Sequence, residues 1–268
     1  MKIGVLIKQV PATEKVKMDE ETGTMIRKGL ELELNPLDMY AVEEAIRIKE
    51  KFKKDVEITA ISMGPPSTIE IIKDAISMGC DNGYLISDRK FAGSDTLATA
   101  YILSIAIKKI GDFDLIIAGE RATDGETGQV GPSVATQLDI PVLTYISKIE
   151  EITGGKVRVR REVEGGYEIL EGPLPILLCV VKGINEPRLP NLSGKIKAKN
   201  FKVHILNQDE LKASSSRIGL NGSPTRVKKI FYPKLSRTGR IIKAKNIEDA
   251  VNELIYFLEA KGIMEELK

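Results

Sequence analysis

Residues 114–139 read "DLIIAGERATDGETGQVGPSVATQLD". The first six residues are an apolar run of strand length, and the last nine carry a helical pattern. Between them lies a loop in which glycines are interspersed with acidic, hydroxyl and amide side chains. A strand, a polar loop and a helix in this order form the repeating unit of a parallel sheet covered by helices. The stretch therefore predicts an α/β fold with a polar loop at the end of one strand.

The same unit recurs along the first half of the chain. Apolar strand patterns occur at residues 2–10, 55–64 and 82–87, and each of them precedes a helical pattern. Two further strands are predicted at 141–152 and 175–183. Because strands alternate with helices of ten or more residues, we expect a mostly parallel sheet with helices on both faces.

The pattern changes in the second half of the chain. Residues 156–172 alternate with period two around a Gly-Gly pair, which predicts a β-hairpin. Residues 185–245 show little sustained periodicity, which favours an arm ordered against another chain. An amphipathic helix is predicted at 246–263. The sequence thus predicts an α/β nucleotide-binding domain at 1–184 and a partner-binding arm and helix at 185–268.

Composition narrows the classes of protein that need to be considered. The chain has 268 residues, of which 42% are hydrophobic and 29% charged, as is typical of soluble globular proteins. A net charge of +2 gives no argument for nucleic-acid binding. No apolar run reaches the roughly 18 residues of a membrane span, and the first strand is too short for a signal peptide. Cys80 and Cys179 lie far apart, which fits a reducing compartment. We expect a cytoplasmic protein without membrane insertion.

The chain has little material for catalysis by its own side chains. Its single histidine, His204, lies in the alternating stretch "FKVHILN", where a strand position is the expected role. Without a second histidine or a Cys–His or Ser–His neighbourhood, neither a nucleophilic triad nor a zinc site can be assembled. The sequence therefore predicts no catalytic side chain and no metal ligands.

The strand ends indicate where a ligand would bind. In an open parallel sheet, ligands bind at the carboxyl ends of the strands, near the point where strand order reverses. Three predicted strand ends are polar or glycine-rich, at residues 8–10, 62–64 and 119–129, and the helix start at 35–38 could lie beside them. This edge of the sheet is the predicted ligand site.

The loop in the opening stretch has the chemistry to hold an anionic nucleotide. Its glycines let a ligand approach the main chain closely, and these are Gly125, Gly128 and Gly131. Thr127 and Gln129 offer hydroxyl and amide groups, and the free N–H groups of the following helix favour an anion such as a diphosphate. Asp124 and Glu126 would repel phosphate, so we expect them to face a sugar hydroxyl or a backbone N–H. The alternative is a glycine-rich turn that ends in an ordinary helix cap.

Neither GxxxxGK[ST] nor G-x-G-x-x-G follows the first strand, so no standard phosphate motif is present. Together, however, several segments of the chain resemble the β subunit of electron transfer flavoproteins. They are "KIGVLIKQVP", "LNPLDMYAVEEAIRIKEK", "ISMGPP", "AISMGCDNGYLI", "AGERATDGETGQVGPSVATQLDIPVLTYI", "EGPLPILLCVVKGINEPRLPNLSGKIKAKN" and "GSPTRV". The resemblance implies an adenine nucleotide α-hydrolase-like core, an FAD-binding α subunit as heterodimer partner, and a C-terminal segment that embraces this partner.

The resemblance also implies roles for individual residues. Those that would line the nucleotide are Leu6, Lys8, Asn35, Asp38, Met63, Gly119, Arg121, Thr123, Asp124, Gly125, Thr127, Gly128, Gln129 and Val130, with Pro224 and Thr225 from "GSPTRV". Residues 186–200 would form a recognition loop for acyl-CoA-type dehydrogenases, with Leu192 as its apolar anchor and Arg188 as a second partner contact. In the alternative for Leu192, this side chain packs on the α subunit.

The family divides by the nucleotide that the β subunit holds. Conventional members hold AMP as a structural element, whereas electron-bifurcating members hold a second FAD that accepts a hydride from NADH and supplies a low-potential acceptor such as ferredoxin. The loop "TDGETGQV" is shorter than the conventional one and has Gly125 where bulk would otherwise stand. "GSPTRV" also resembles bifurcating members. We therefore expect FAD, with AMP as the alternative, and Arg121 near the flavin would favour its anionic reduced form.

Two other classes of protein share this type of sheet. An ATP-using adenylating enzyme or ATP pyrophosphatase needs a glycine- or serine-rich phosphate loop after the first strand, and "IKQVPATEK" is not one. A nucleotide sensor of the universal-stress type would be shorter and would have no use for the arm after Asn185. ATP hydrolysis or AMP formation by the isolated chain would favour these classes.

Overall fold

The computed structural model describes residues 1–12, 31–52, 55–228, 241 and 246–263. The chain divides into two compact units, Met1–Ile230 and Phe231–Lys268. The first unit contains every described strand, and the second contains one described helix. The boundary between the units thus follows residue 230, whereas the sequence predicts a boundary after residue 184. The partner-binding role assigned to 185–268 stays a prediction.

The described strands and helices follow the alternation expected from the sequence. The strands are β1 (Lys2–Leu6), β2 (Gln9–Pro11), β3 (Leu32–Leu34), β4 (Glu57–Met63), β5 (Asn82–Ile86), β6 (Leu115–Gly119), β7 (Val142–Thr153), β8 (Lys156–Val163), β9 (Gly166–Pro173), β10 (Ile176–Val180) and β11 (His204–Leu206). The helices are α1 (Pro36–Phe52), α2 (Ile69–Met78), α3 (Thr96–Ile110), α4 (Val130–Leu138), α5 (Leu192–Asn200), α6 (Gln208–Leu211) and α7 (Ile247–Ala260).

Nine strands form the main sheet in the order β11-β5-β4-β1-β6-β10-β7-β8-β9. All pairs from β11 through β7 are parallel, and only the pairs β7–β8 and β8–β9 are antiparallel. Strand order reverses at β1, which lies between β4 and β6. The predicted α/β class with a mostly parallel sheet is confirmed, and the predicted hairpin is the β8–β9 pair, which turns at Glu164 and Gly165.

Two apolar clusters cover the two faces of the sheet. One contains Ile3 and Val5 of β1 together with residues of α1 and α2. The other contains Leu6 with residues of α3 and α4. Side chains of a strand alternate between faces, so neighbouring β1 residues reach opposite clusters. Burial on both faces explains why these strands consist almost entirely of apolar residues.

Part of the predicted arm packs on the sheet of its own chain. Strand β11 pairs with β5 at the sheet edge, and His204 lies on this strand, as the sequence predicts. Helix α5 packs against α2, and Gly194 allows the approach because an added Cβ would overlap the Ser77 carbonyl. The buried residues of this region, such as Ala198 and Leu211, are spaced too irregularly to give a periodic pattern.

Candidate functional site

The carboxyl ends of β4, β1, β6 and β10, together with the part of β7 level with them, form one edge of the sheet, which we call the rim. In the register of the strands, Gly119 at the end of β6 is level with Val180 of β10, and Val180 is level with Ile146 of β7. Leu6 at the end of β1 pairs with Ala118. The strand ends that the sequence singles out therefore meet at the rim, beside the reversal of strand order at β1.

Residues at the start of α1 form hydrogen bonds with the backbone at the rim. Asn35 is fully buried and precedes this helix. Its Nδ2 donates to the Arg121 carbonyl at 3.0 Å, and its Oδ1 accepts from the Thr123 N–H at 3.2 Å. Its own N–H donates to the Lys8 carbonyl. The Asn35 side chain thus holds the start of the β6–α4 loop, while its backbone N–H connects it to Lys8 after β1.

Asp38, one turn further along α1, adds to these hydrogen bonds. Its Oδ2 accepts from the Lys8 N–H at 2.8 Å, and a Cβ added to Gly119 would lie 2.5 Å from its Oδ1. Burial raises the pKa of Asp38 from 3.8 to about 7, although hydrogen bonds from Asn35 and from the backbone of Lys8 and Gly119 act in the opposite direction. Gly119 therefore lacks a side chain because the carboxyl group occupies that space.

We call Asn35 and Asp38 the α1 brace. Both were predicted to line the nucleotide, and the structure brings both to the rim, where their hydrogen bonds go to the protein. Their direct contact with a nucleotide stays a prediction. What the geometry supports is a positioning role, because removal of either side chain would release the backbone of the strand ends.

Two ion pairs lie at the rim, beside Asn35 and Asp38. Lys8 Nζ lies 2.6 Å from Asp124 Oδ1, and an Arg121 guanidinium nitrogen lies 3.1 Å from Glu120 Oε1. Asp124 thus faces a lysine in this structure, where the sequence predicts a sugar hydroxyl or a backbone N–H as its partner. Pairing with Lys8 reduces the repulsion that this carboxylate would exert on a phosphate group.

The three glycines of the loop serve three different purposes. A Cβ at Gly125 would meet no atom within 4 Å, so this position opens onto free space. Gly128 has φ of 61°, in the left-handed region that favours glycine. A Cβ at Gly131 would lie 2.5 Å from Cys179 Sγ, so this glycine lets α4 pack closely on β10. Of the three glycines, Gly125 is therefore the position where an added side chain would meet no protein atom.

Two helix N-termini point toward the same loop. The Asp95 side chain caps α3 by accepting from the Ala98 N–H at 3.0 Å. The Thr96 hydroxyl donates to Gln129 Oε1 at 3.2 Å and so connects the start of α3 with the start of α4. The Asp95 carboxylate occupies the N-terminus of α3, so the N–H groups that suit a phosphate group are those at the N-terminus of α4, which has no side-chain cap.

The segment that contains Pro224 and Thr225 lies against the start of α3. The N–H and hydroxyl of Thr225 donate to Asp95 Oδ2 at 3.1 and 2.8 Å. The Asp95 N–H in turn donates to the Ser223 hydroxyl at 2.8 Å. The structure therefore brings Thr225 to the same end of the sheet as Gln129 of the β6–α4 loop, far away in the sequence, as the resemblance implies.

A family model described as the electron transfer flavoprotein domain matches residues 22–207. The "Electron transfer flavoprotein subunit beta" of Thermoanaerobacterium thermosaccharolyticum is 46% identical over 265 residues, which cover 98% of this chain and 100% of the relative. The protein of the same name from Megasphaera elsdenii is 42% identical, with the same coverage. The "Caffeyl-CoA reductase-Etf complex subunit CarD" of Acetobacterium woodii is 40% identical, again over 98% of this chain and 100% of the relative.

This chain belongs to the electron transfer flavoprotein family. The match covers the β6–α4 loop and every described strand of the main sheet except β1. Among the helices that the structure describes, none combines the length and the apolar character of a bilayer span.

In the recognition loop predicted for this family, the arginine is held by its own chain. Arg188 Nε donates to Glu43 Oε2 at 2.8 Å, and its terminal nitrogens contact Glu50. Next to it, Leu189 is 88% exposed and Leu192 is 75% exposed. Arg188 therefore anchors the loop on α1, and the two leucines project from it. The dehydrogenase contacts of Arg188 and Leu192 stay predictions.

The sequence does not predict one feature of the site, a small cavity beside Tyr145. Glu120 and Gly128 of the loop line a small cavity of about 30 Å³ with Thr144, Tyr145 and Cys179. Burial raises the pKa of the Cys179 thiol to about 12, so this group remains protonated and serves as an apolar wall. The stretch "PVLTYISK" has an ordinary strand pattern, which gives no signal that Tyr145 adopts φ of 58°.

Proposed function

We propose that this chain is the β subunit of a heterodimeric electron transfer flavoprotein that holds FAD at the rim. In this proposal the complex accepts electrons from NADH and passes them to the FAD of the α subunit and its dehydrogenase, and to a low-potential acceptor such as ferredoxin. The observation that carries the proposal is Gly125, an exposed position of the β6–α4 loop where an added Cβ would meet no atom within 4 Å.

The donor set at the rim suits an adenine dinucleotide. The N-terminus of α4 would supply N–H groups for a diphosphate, and Lys8 would supply a cation. Thr127 and Gln129 offer groups for the sugar hydroxyls, and the open position at Gly125 leaves room for the part of FAD that AMP lacks. Residues 223–225, held by Asp95, would form a further wall of the site.

The residues of this chain would bind and orient the cofactor, and the flavin, when bound, supplies hydride acceptance and single-electron transfer. Asn35 and Asp38 would fix the strand ends against which the nucleotide lies. Arg121, on the loop that Asn35 holds, is a cation that would favour an anionic reduced flavin. No described side chain needs to act as a nucleophile in this scheme.

The partners of this proposal follow from the names of the relatives and from exposed apolar groups. Relatives at 46% and 42% identity are called subunit beta, which supports an α subunit as partner. CarD is named as part of a caffeyl-CoA reductase complex, which supports a dehydrogenase of the acyl-CoA type. Leu189 and Leu192, exposed beside the anchored Arg188, are the side chains that such a partner would bury.

The test is to release the nucleotides from the purified α/β complex by denaturation and to count them by chromatography. Two FAD per heterodimer and no AMP would support the proposal. One FAD and one AMP would instead assign the conventional function, with AMP at the rim as a structural group. A complex without any adenine nucleotide beyond the FAD of the α subunit would contradict both.

A variant tests the role of the free space directly. Gly125→Asp places a charged side chain there, and we expect it to weaken FAD binding at the rim by roughly a hundredfold while the FAD of the α subunit is retained. Gly166→Asp, at the start of β9, serves as a control for a new aspartate at an equally open glycine without a left-handed backbone. Equal retention of both flavins in Gly125→Asp would count against the steric argument.

A further inference from the structure

The part of β7 that lies at the rim departs from regular geometry. Leu178 of β10 pairs with Leu143, and Val180 pairs with Ile146, so β7 has one more residue than β10 over this interval. Leu143 and Ile146 both contact the cluster on the α1–α2 face. Thr144 and Tyr145 therefore share the single position that faces α3 and α4, opposite Cys179. We call these two residues the β7 bulge.

The bulge is strained, and it exposes an aromatic ring. Tyr145 has φ of 58°, a left-handed conformation that disfavours residues with a side chain. Its side chain is 52% exposed, although the strand residue that follows, Ile146, is fully buried. Glycine would adopt this backbone without strain, so the tyrosine side chain must serve a purpose that offsets the cost.

The bulge lies beside the predicted binding site for the phosphate groups. Strands in a sheet are about 4.8 Å apart, so Ile146 is roughly 10 Å from the level of Gly119, across two strand spacings. Glu120 and Gly128 contact the same cavity as Tyr145, which places the returning limb of the β6–α4 loop against the bulge. Gly131, in the first turn of α4, packs directly on Cys179 beside it.

We propose that Tyr145 is a further nucleotide-contacting residue, held at the rim by the β7 bulge. The proposal rests on the proposed function, because it assumes that the rim binds an adenine nucleotide. An exposed ring beside a helix N-terminus can pack on a sugar or flavin surface and can donate its hydroxyl to a phosphate group. The strained backbone keeps this ring at the mouth of the site and out of the apolar cluster.

The experiment uses the complete α/β complex, stripped of nucleotide and titrated calorimetrically with FAD and, separately, with AMP. Three variants divide the tyrosine into its parts. Tyr145→Ala removes the ring and keeps the strain, Tyr145→Gly removes both, and Tyr145→Phe removes only the hydroxyl. We expect the Ala and Gly variants to bind nucleotide roughly tenfold more weakly than wild type, each to the same extent. Tyr145→Phe reports whether the ring or the hydroxyl makes the contact, and either result supports the proposal.

Thermal unfolding gives the companion measurement. Because glycine relieves the left-handed strain, Tyr145→Gly should unfold about 2 °C above Tyr145→Ala. Nucleotide affinity that is lost in Tyr145→Ala and restored in Tyr145→Gly would assign the effect to the backbone and overturn the proposal. Unchanged nucleotide affinity in all three variants would overturn the proposal too. The same holds if the variants weaken only the binding of the α subunit. A wild-type complex that binds no adenine nucleotide at the rim would refute the proposed function itself.

Discussion

The two sides of the rim use their polar and aromatic groups in opposite ways. On the α1 side, Asn35 and Asp38 are buried, and their hydrogen bonds go to the backbone of the strand ends and the loop. On the β7 side, Tyr145 is half exposed in a strained conformation. The first side determines the shape of the site before a ligand arrives, and the second presents the surface that a ligand would contact.

The largest effect on stability is expected from Asn35→Ala. The change leaves the Arg121 carbonyl and the Thr123 N–H without their buried partner, so we expect the free energy of unfolding to fall by about 3 kcal/mol. Urea unfolding of the full chain measures it. Asn82→Ala is the matched control, because Asn82 bonds to Glu57 at the surface, and it should cost less than about 0.5 kcal/mol. Equal losses in the two variants would remove the distinction between brace and surface.

A pH series tests the other half of the brace. The Asp38 pKa is about 7 in the folded chain and 3.8 in the absence of burial, so the folded state binds this proton more tightly. Its contribution to stability is fully present below about pH 4 and is lost as pH rises through 7. Between pH 5 and pH 8 this amounts to about 2 to 3 kcal/mol.

Asp38→Asn should abolish that part of the pH dependence, as measured by urea unfolding at each pH. Asp88→Asn is the control, because backbone hydrogen bonds from Lys90 and Gln208 lower the pKa of Asp88. The control should keep the wild-type slope between pH 5 and pH 8. A flat wild-type profile would show that Asp38 is ionised throughout this range.

Two alanine substitutions compare a tightly packed glycine, Gly131 of α4, with an unobstructed one, Gly125 of the β6–α4 loop. Gly131→Ala forces a methyl group against Cys179 Sγ, and we expect a loss of about 1.5 kcal/mol after its gain in helix propensity. Gly125→Ala meets no atom within 4 Å and should change the free energy of unfolding by less than about 0.5 kcal/mol. Both are measured by urea unfolding of the full chain, and the reverse ranking would contradict the assignment of Gly125 as the open position.

The smallest effect is expected at the mouth of the rim. Lys8→Met removes the ion pair with Asp124. The Lys8 side chain is about half exposed, so the free energy of unfolding should fall by about 0.5 kcal/mol after allowance for solvent screening. This loss should vanish in 1 M salt. Lys73→Met, which removes a 4.0 Å pair with Glu70, provides the comparison and should be neutral. A salt-independent loss of several kcal/mol at Lys8 would mean that the pair is part of the brace.

The sequence predicts the architecture well because burial on two faces produces long apolar runs. Strands β1, β4 and β6 are recognisable from such runs, and the hairpin from its period-two alternation around Gly165. It also identifies the strand ends that meet at the rim, since parallel strands bring their carboxyl ends to one edge. These features depend on local composition and on topology.

The remaining features depend on contacts that no local pattern encodes. The bulge at Tyr145 arises from the register between β7 and β10, and "PVLTYISK" carries no glycine to announce it. Residues 192–211 pack on α2 and β5 through a few scattered apolar positions, which gave no periodicity to detect. The hydrogen bonds of Asn35 to Arg121 and Thr123 span 86 and 88 positions, so no local pattern in the sequence indicates them.

The central position of β1 also has a consequence for how the chain folds as it is synthesised. Ile3 pairs with Ile58 on one side and with Leu115 on the other, so β1 is synthesised before both of the strands that flank it. Such long sequence separations slow folding and leave an apolar strand unprotected in the meantime. β1 therefore lacks its second partner strand until the chain has been synthesised as far as residue 119.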